Sequence, residues 1–249
     1  MNSFEYHRPD SLETAVAARR AAADGLYLAG GMTLIPTLKQ GLAQPSDLID
    51  LGAIPDLAGI VVAGDRLTIG AMTRHAAVAG SADVRRAIPA LAWLAAEIGD
   101  PQVRNRGTIG GSLANSDPAA DYPAAVVALG ATIVTDRRRI AADDYFIDLF
   151  QTALEPGELI RSVEFPIPRR GAYRKFRNPA SRYAVVGVFM ADFGGEIRVG
   201  VTGAGPCAFR AEDLEAALKG RAEPAALDRV DIDHSGFNRD LHASAEYRG

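Results

Sequence analysis

The chain has 249 residues, 48% of them hydrophobic, enough to bury a substantial core, so disorder is excluded as its default state. Its 27 lysines and arginines stand against 31 aspartates and glutamates, a net charge of −4 with the two signs interspersed, and this argues against nucleic acid as a partner. The single cysteine, Cys207, rules out an internal disulfide and any cluster held by several cysteines of this chain alone.

No apolar run approaches the roughly 18–20 residues of a membrane span, and MNSFEYHRPD lacks the basic-then-apolar layout of a signal peptide. A soluble cytoplasmic protein is expected. Phe4-Glu5-Tyr6 predicts a short strand. Asp10-Ser11-Leu12-Glu13 offers an N-cap with an acid three residues on and starts an alanine-rich helix that fades before Gly25. A strand at 27–29 runs into Gly30-Gly31, and Thr33-Leu34-Ile35-Pro36 reads as a helix start, with proline tolerated in the first turn. With a strand at 48–51 the unit is β-α-β-α-β in outline and ends near residue 52.

Residues 67–71 alternate as a strand, and 84–98 carry apolar residues at helical spacing with a break at Pro89. Trp93 is spaced on that helix as a core residue. After the glycine-rich segment at 107–123, residues 124–129 suit a buried helix, 132–135 a strand, and 159–165 another strand reached through Glu155-Pro156-Gly157. Pro166 and Pro168 mark a domain joint. A strand at 173–177 precedes a hairpin of 185–193 and 197–202 joined at Gly194-Gly195. A helix around 214–218 stops at Gly220, and the tail from Pro224 is weakly patterned.

Two loops carry the chemistry. AGGMTLIP at 29–36 ends a strand with two glycines and opens a helix, presenting unpaired N–H groups to an anion such as a diphosphate; by itself the signal is weak, since a Gly-Gly before a helix is more often a mere turn. GTIGGSLANSDPAAD at 107–121 is the more specific: Gly110-Gly111 expose amides while Thr108, Ser112, Asn115 and Asp121 add the mixed donors and acceptors that suit a dinucleotide, the bland reading being a polar surface loop. On this reading Gly110→Val strips the ligand and leaves the chain folded. GxxxxGK[ST], helix-opening GxGxxG, GxSxG and HExxH are absent, and His7, His75, His234 and His242 are scattered without metal-ligand spacing. No catalytic residue and no metal ligand is therefore assigned, which suits a protein whose bound cofactor performs redox chemistry.

Together with FEYHRPDSLETA, AGGMTLIPTLK, RNRGTIGGSLANSDPAADYPAA, GELIRSVEFP, KFRNPASRYAVVGV, VTGAGPCAFRA and DLHASAEYR, these loops resemble the medium flavoprotein subunits of molybdenum hydroxylases across effectively the whole chain. That family includes carbon monoxide and xanthine dehydrogenases and related aldehyde and N-heterocycle oxidoreductases. The resemblance implies an α+β fold: an FAD-binding subdomain at 1–52, a second at 53–168 (both α/β, PCMH-type), and a C-terminal α+β domain at 171–249 that resembles the carbon monoxide dehydrogenase flavoprotein C-terminal domain. It implies that Ala29, Gly30, Gly31, Met32 and Thr33, with Thr108, Ile109, Gly110, Gly111 and Ser112, hold the FAD diphosphate and adjoining groups. Asp121 is a further FAD contact, Ile160 an aliphatic neighbour of the flavin, Arg177 stands where some relatives carry lysine toward the ring, and Tyr183 covers a ring face. Without the resemblance, Arg177 is equally a solvated strand residue, Tyr183 a half-buried strand tyrosine and Cys207 a packed or inert thiol.

The chain departs from the family at Thr33 (often serine) and Ser112 (commonly asparagine), both keeping a polar group, and lacks the insertion that gives one relative an extra iron–sulfur cluster. Relatives continue past DLHASAEYR into a terminal amphipathic helix, so the last helix of the C-terminal domain is expected to be missing. The implied role is electron transfer in a dimer of heterotrimers. Substrate is hydroxylated at a molybdopterin-type molybdenum cofactor in a large subunit, and electrons cross two [2Fe–2S] clusters in a small subunit. FAD here passes them to an external acceptor, at a cytoplasmic site or one peripheral to the inner face of the membrane. The rivals are a self-sufficient FAD oxidase or reductase, disfavoured because neither loop has a histidine or cysteine to anchor flavin covalently, and a flavin-free scaffold, disfavoured by the glycines at 30, 31, 110 and 111.

Overall fold

Three sheets, each from a separate stretch of sequence, organise the computed structural model, which describes residues 3–220 and 223–249. The first two residues of the N-terminal segment, read above as free of a leader pattern, lie outside the described residues. In the first stretch β1 (Glu5–His7), α1 (Leu12–Ala21), β2 (Gly25–Leu28), α2 (Leu34–Lys39) and β3 (Asp47–Asp50) form a parallel sheet of order β1-β3-β2, with the helices as crossovers. The cap of α1 differs from the expected acid box. Ser11 is the N-cap and accepts from the Thr14 amide, while Thr14 Oγ1 accepts from the Ser11 amide, so Thr14 closes the box and Asp10 stays outside it. Ala15, Ile49, Leu51, Ile54 and Leu57 bury a small core beneath this sheet, together with Leu159 from the next unit.

The second stretch opens with the hairpin β4 (Ile60–Ala63) and β5 (Arg66–Gly70). Six short helices follow: α3 (His75–Gly80), α4 (Ala82–Ala87), α5 (Pro89–Ala96), α6 (Pro101–Arg106), α7 (Ile109–Asn115) and α8 (Tyr122–Ala128). Then come β6 (Thr132–Thr135), β7 (Arg139–Ala141), a small hairpin of β8 (Phe146–Asp148) and β9 (Gln151–Thr152), and β10 (Ile160–Pro166). The sheet order is β4-β5-β10-β6-β7 and every pairing is antiparallel, so β10 returns to the centre and sets Val163 opposite both Ile69 and Ile133. These three side chains are fully buried, along with Leu91, Leu94, Ile109, Leu113 and Tyr122 from the helices. Each large apolar side chain so removed from water contributes about 1.5–3 kcal/mol.

The helical pattern at 84–98 is broken at Pro89 as predicted, because proline has no N–H to donate and suits the first turn of a new helix. Trp93 corrects the expectation of a core residue: α5 turns Leu91, Leu94 and Ala95 inward and leaves the indole 55% exposed. Within the glycine-rich segment read as a loop, Ile109–Asn115 form α7, with Thr108 as its N-cap.

The third stretch is the antiparallel sheet of β11 (Arg170–Arg177), β12 (Ala184–Asp192), β13 (Ile197–Thr202) and β14 (Phe209–Arg210) in sequential order, followed by α9 (Glu212–Leu218) and a final turn, α10 (Ala245–Arg248). The weakly patterned tail is pinned by Arg248, whose buried guanidinium donates to the Val185 and Gly203 carbonyls and pairs with Asp240. This sheet packs on α8 closely enough that a Cβ at Gly200 would lie 2.2 Å from the Ala124 carbonyl. The architecture is the α+β arrangement expected, and among the described residues no helix is long and apolar enough to cross a membrane.

Candidate functional site

All three stretches line one cavity of about 520 Å³, inside the range of about 300–1,000 Å³ usual for small-molecule sites. Its first wall is the turn that leaves β2. Gly31 has φ +77°, a left-handed value that a side chain disfavours, and it swings the chain from strand to helix. Helix bonding begins at once, with Ile35 N donating to Gly31 O and Thr37 N to Thr33 O. The amides of Gly30, Gly31, Met32 and Thr33 are left without a protein acceptor among the described residues. Four successive unspent donors at a helix start are an arrangement that can receive an anion. Gly30 serves packing instead, since a Cβ there would sit 2.2 Å from the Arg106 carbonyl; its bare backbone lets this turn rest on the end of α6.

The second wall corrects the expectation that Gly110-Gly111 expose amides. The Gly110 amide donates to Ala71 O at 2.8 Å, and the Gly111 amide to Thr108 Oγ1 at 3.2 Å, Thr108 being the N-cap of α7. Both donors are spent inside the protein. A Cβ at Gly110 would lie 2.5 Å from the Ala71 Cβ and 2.8 Å from its carbonyl oxygen, so Gly110→Val disturbs the seat of α7 on the end of β5, not only the cavity. The surfaces that α7 does present to the cavity include the polar side chains of Ser112 and Asn115.

The far wall is charged. Asp121, 4% exposed, precedes α8, accepts from Tyr173 Oη at 2.6 Å and is ion-paired with Lys175 Nζ at 2.8 Å. Burial pushes its carboxyl up from the ordinary range, against the opposing pull of Lys175 and Tyr173. Like Asp117, Glu158 is another lining carboxylate. Burial alone would raise it, but hydrogen bonds from Arg138, the Glu155 amide and Thr135 outweigh that and hold it down at about 2. His75 is kept neutral, its pKa lowered to about 4 by burial and by the charge of Arg104. Its Nδ1 is buried without a hydrogen-bond partner among the described residues. Arg182 is the one arginine or lysine among the described lining residues, so an anionic ligand is met chiefly by amides.

Of the residues singled out in the sequence, Ala29, Gly30, Gly31, Met32, Thr33, Thr108, Gly110, Gly111, Ser112, Asp121, Ile160 and Tyr183 all line this cavity. Two do not. Ile109 is fully buried and points from α7 into the main core. Arg177 lies past a register shift at the end of β11, where its half-exposed guanidinium pairs with Glu97 at 3.0 Å. Tyr183 follows a turn in which Asn178 Oδ1 accepts from the Ala180 and Ser181 amides, and it remains 51% exposed at the cavity edge. Sequence reading missed Tyr27, His75, Asp117 and Glu158, which also line the cavity, and Lys175 behind Asp121. The alternation Tyr173, Lys175, Arg177 marks one face of a strand, but nothing local names an acid 54 residues earlier as the lysine's partner.

Free amides for an anion, hydroxyl and amide side chains, an acceptor carboxylate, aliphatic walls from Ile98, Leu159 and Ile160, and tyrosines at 27 and 183 match the parts of a flavin dinucleotide: diphosphate, polyhydroxyl chain and flat ring. Among the described residues no group of three or more His, Cys, Asp or Glu could hold a metal ion. Residues 2–168 match the family described as the FAD binding domain in molybdopterin dehydrogenase. The carbon monoxide dehydrogenase medium chain of Hydrogenophaga pseudoflava is 39% identical over 232 residues, 88% of this chain and 81% of that one. The nicotine 6-hydroxylase medium subunit of Paenarthrobacter nicotinovorans is 35% identical across 99% of this chain and 92% of its own. Among solved structures, reconstituted CO dehydrogenase from Oligotropha carboxidovorans contains a chain that matches with a TM-score of 0.92 at 37% identity, over 99% of this chain and 92% of that one.

Proposed function

This chain belongs to the family of FAD-binding domains of molybdopterin dehydrogenases, an FAD-binding subunit of an oxidoreductase, and from that premise we propose that it is the electron-passing member of a three-subunit molybdenum hydroxylase. It receives electrons from [2Fe–2S] clusters of a small subunit, which draw them from a molybdenum cofactor in a large subunit, and hands them to an external acceptor. The assembly is a dimer of heterotrimers, placed in the cytoplasm or peripheral to the inner face of the membrane. Bound FAD supplies the redox chemistry, exchanging electrons singly or in pairs.

The chain's own residues bind and orient. The observation that carries the reading is the run of four unspent amides at Gly30, Gly31, Met32 and Thr33 facing a cavity with almost no cationic side chain. There they donate to the diphosphate, with Ala29, Thr108, Gly111 and Ser112 closing around it, and Gly110 and Ile109 anchor α7 from behind. Asp121 accepts from a donor of the cofactor, Ile160 packs against its apolar part and Tyr183 covers it from the open side. In domain terms, residues 1–52 and 53–168 clasp the cofactor and 171–249 close the cavity from the third side. The test is the absorption spectrum and acid-released cofactor content of the purified chain, alone and co-expressed with its neighbouring subunits. One FAD per chain, with iron–sulfur and molybdenum copurifying in the co-expressed sample, is expected; no flavin under either condition overturns the reading, and full turnover of substrate by the chain alone overturns the division of labour.

A further inference from the structure

β11 lies outside the part of the chain that matches the FAD-binding family, yet it sends a cation to Asp121, a residue that lines the cavity. The Lys175 side chain is 3% exposed. Its Nζ donates to Asp121 Oδ2 at 3.0 Å and to the Glu97 carbonyl at 3.1 Å, and lies 2.8 Å from Asp121 Oδ1. The ammonium thus sits at the C-terminal end of α5 and the carboxylate at the N-terminal start of α8, each where the helix dipole favours its sign. With Tyr173 Oη also donating to Oδ1, two of about four acceptor positions of the carboxylate are filled by hydrogen bonds, and the carboxylate with acceptor capacity left belongs to a residue that lines the cavity. A lysine is costly to bury, and one held on a single carboxylate, one carbonyl and no solvent calls for a reason beyond packing.

Resting on the FAD-binding reading above, we propose that Lys175 is a positioning residue for the cofactor: it keeps the Asp121 side chain ionised and fixed in orientation, so that Asp121 presents a pure acceptor to a hydroxyl or N–H donor of bound FAD. Without the cation, burial favours the protonated acid, which can donate as well as accept and has lost one of its two anchors. The other groups around this carboxylate do not substitute for it. Tyr173, Tyr122 and Tyr183 are pushed above the ordinary tyrosine range, burial being the first cause in each. Burial likewise raises Asp117, and His75 is held neutral; Glu97 and Asp117 add negative charge, and Arg177 is engaged by the Glu97 side chain. Lys175 is the cation in contact.

The experiment compares FAD dissociation constants, from flavin fluorescence, for the full-length wild type, K175Q, K175R and D121N between pH 6 and 9, with far-ultraviolet circular dichroism confirming folding. The ratio of the K175Q constant to that of wild type is expected to be about ten or more at pH 6 and to be smaller at pH 9, the direction that burial of a carboxyl without its cation gives, while K175R stays near wild type. D121N is expected to bind weakly at every pH. A K175Q ratio of one throughout, or a loss that is the same at every pH, overturns the proposal, since the latter is what a merely structural lysine gives. If K175Q does not fold, K175R and D121N decide: wild-type affinity in D121N, or a flat ten-fold loss in both, overturns it. Failure of the wild type to bind FAD at all would instead sink the functional reading itself.

Discussion

Replacing Gly110 with alanine separates two explanations of the glycine-rich segment. If glycine is there to let a phosphate approach, one methyl group weakens FAD binding and spares the fold. The structure assigns it to close packing: the new Cβ would stand 2.5 Å from the Ala71 Cβ and 2.8 Å from the Ala71 oxygen, the same oxygen that accepts the Gly110 N–H. Moving α7 away by the roughly one ångström that ordinary carbon contact of about 3.5–4.0 Å requires costs about 1–3 kcal/mol of overpacking, and weakening the 2.8 Å hydrogen bond adds about 0.5–1.5 kcal/mol. A loss of about 2–4 kcal/mol follows, which in a chain of this size lowers Tm by about 4–16 °C. The assay is thermal unfolding of the FAD-free chain followed by circular dichroism, with Gly80→Ala, where a Cβ meets nothing within 4 Å, as the control expected to leave Tm unchanged or slightly raised. An unchanged Tm in Gly110→Ala combined with loss of FAD would refute the packing argument and restore the phosphate-approach explanation.

Gly31→Ala acts on the opposite wall: a side chain at φ +77° costs about 1–2 kcal/mol, relieved only by turning the 30–33 amides, so FAD affinity should fall about ten-fold, read by fluorescence titration. For Glu158→Gln the sign follows from a carboxyl held below its unfolded value: its stabilisation is complete above about pH 4.5 and disappears as pH falls toward 2. The gap between 4.5 and about 2 corresponds to about 3 kcal/mol. Because the Arg138 side chain is 42% exposed, water screening should leave about 1–2 kcal/mol. Melting curves of wild type and Glu158→Gln should therefore differ most near pH 7 and converge below pH 4.5. Thr108→Val removes the N-cap of α7 and should cost about 1 kcal/mol in denaturant unfolding. Arg177→Ala, outside the cavity, should leave the FAD dissociation constant within about two-fold of wild type.

What the sequence by itself determined is whatever depends on neighbours along the chain. The β-α-β-α-β start, the break at Pro89, the hairpin at Gly194-Gly195 and the glycine turn at 30–31 all follow from periodicity, caps and backbone freedom within a few residues, and each stands in the fold close to where it was read. The motif resemblance likewise led to a set of residues nearly all of which meet in one cavity. Only the tertiary structure decided how those residues are used. Gly110 and Gly111 look alike to Gly30 and Gly31 in sequence, but the amides of one pair are consumed by Ala71 and Thr108 while those of the other stay free, because β5 happens to end beneath α7. Trp93 and Leu94 are adjacent and apolar, and the packing of α5 alone chose which one to bury. Arg177 rather than Lys175 occupies the expected motif position, yet the strand carries Lys175 to Asp121, 54 residues away, and leaves Arg177 at the rim with Glu97. Burial and long-range pairing are properties of the assembled sheets, and no local pattern encodes them.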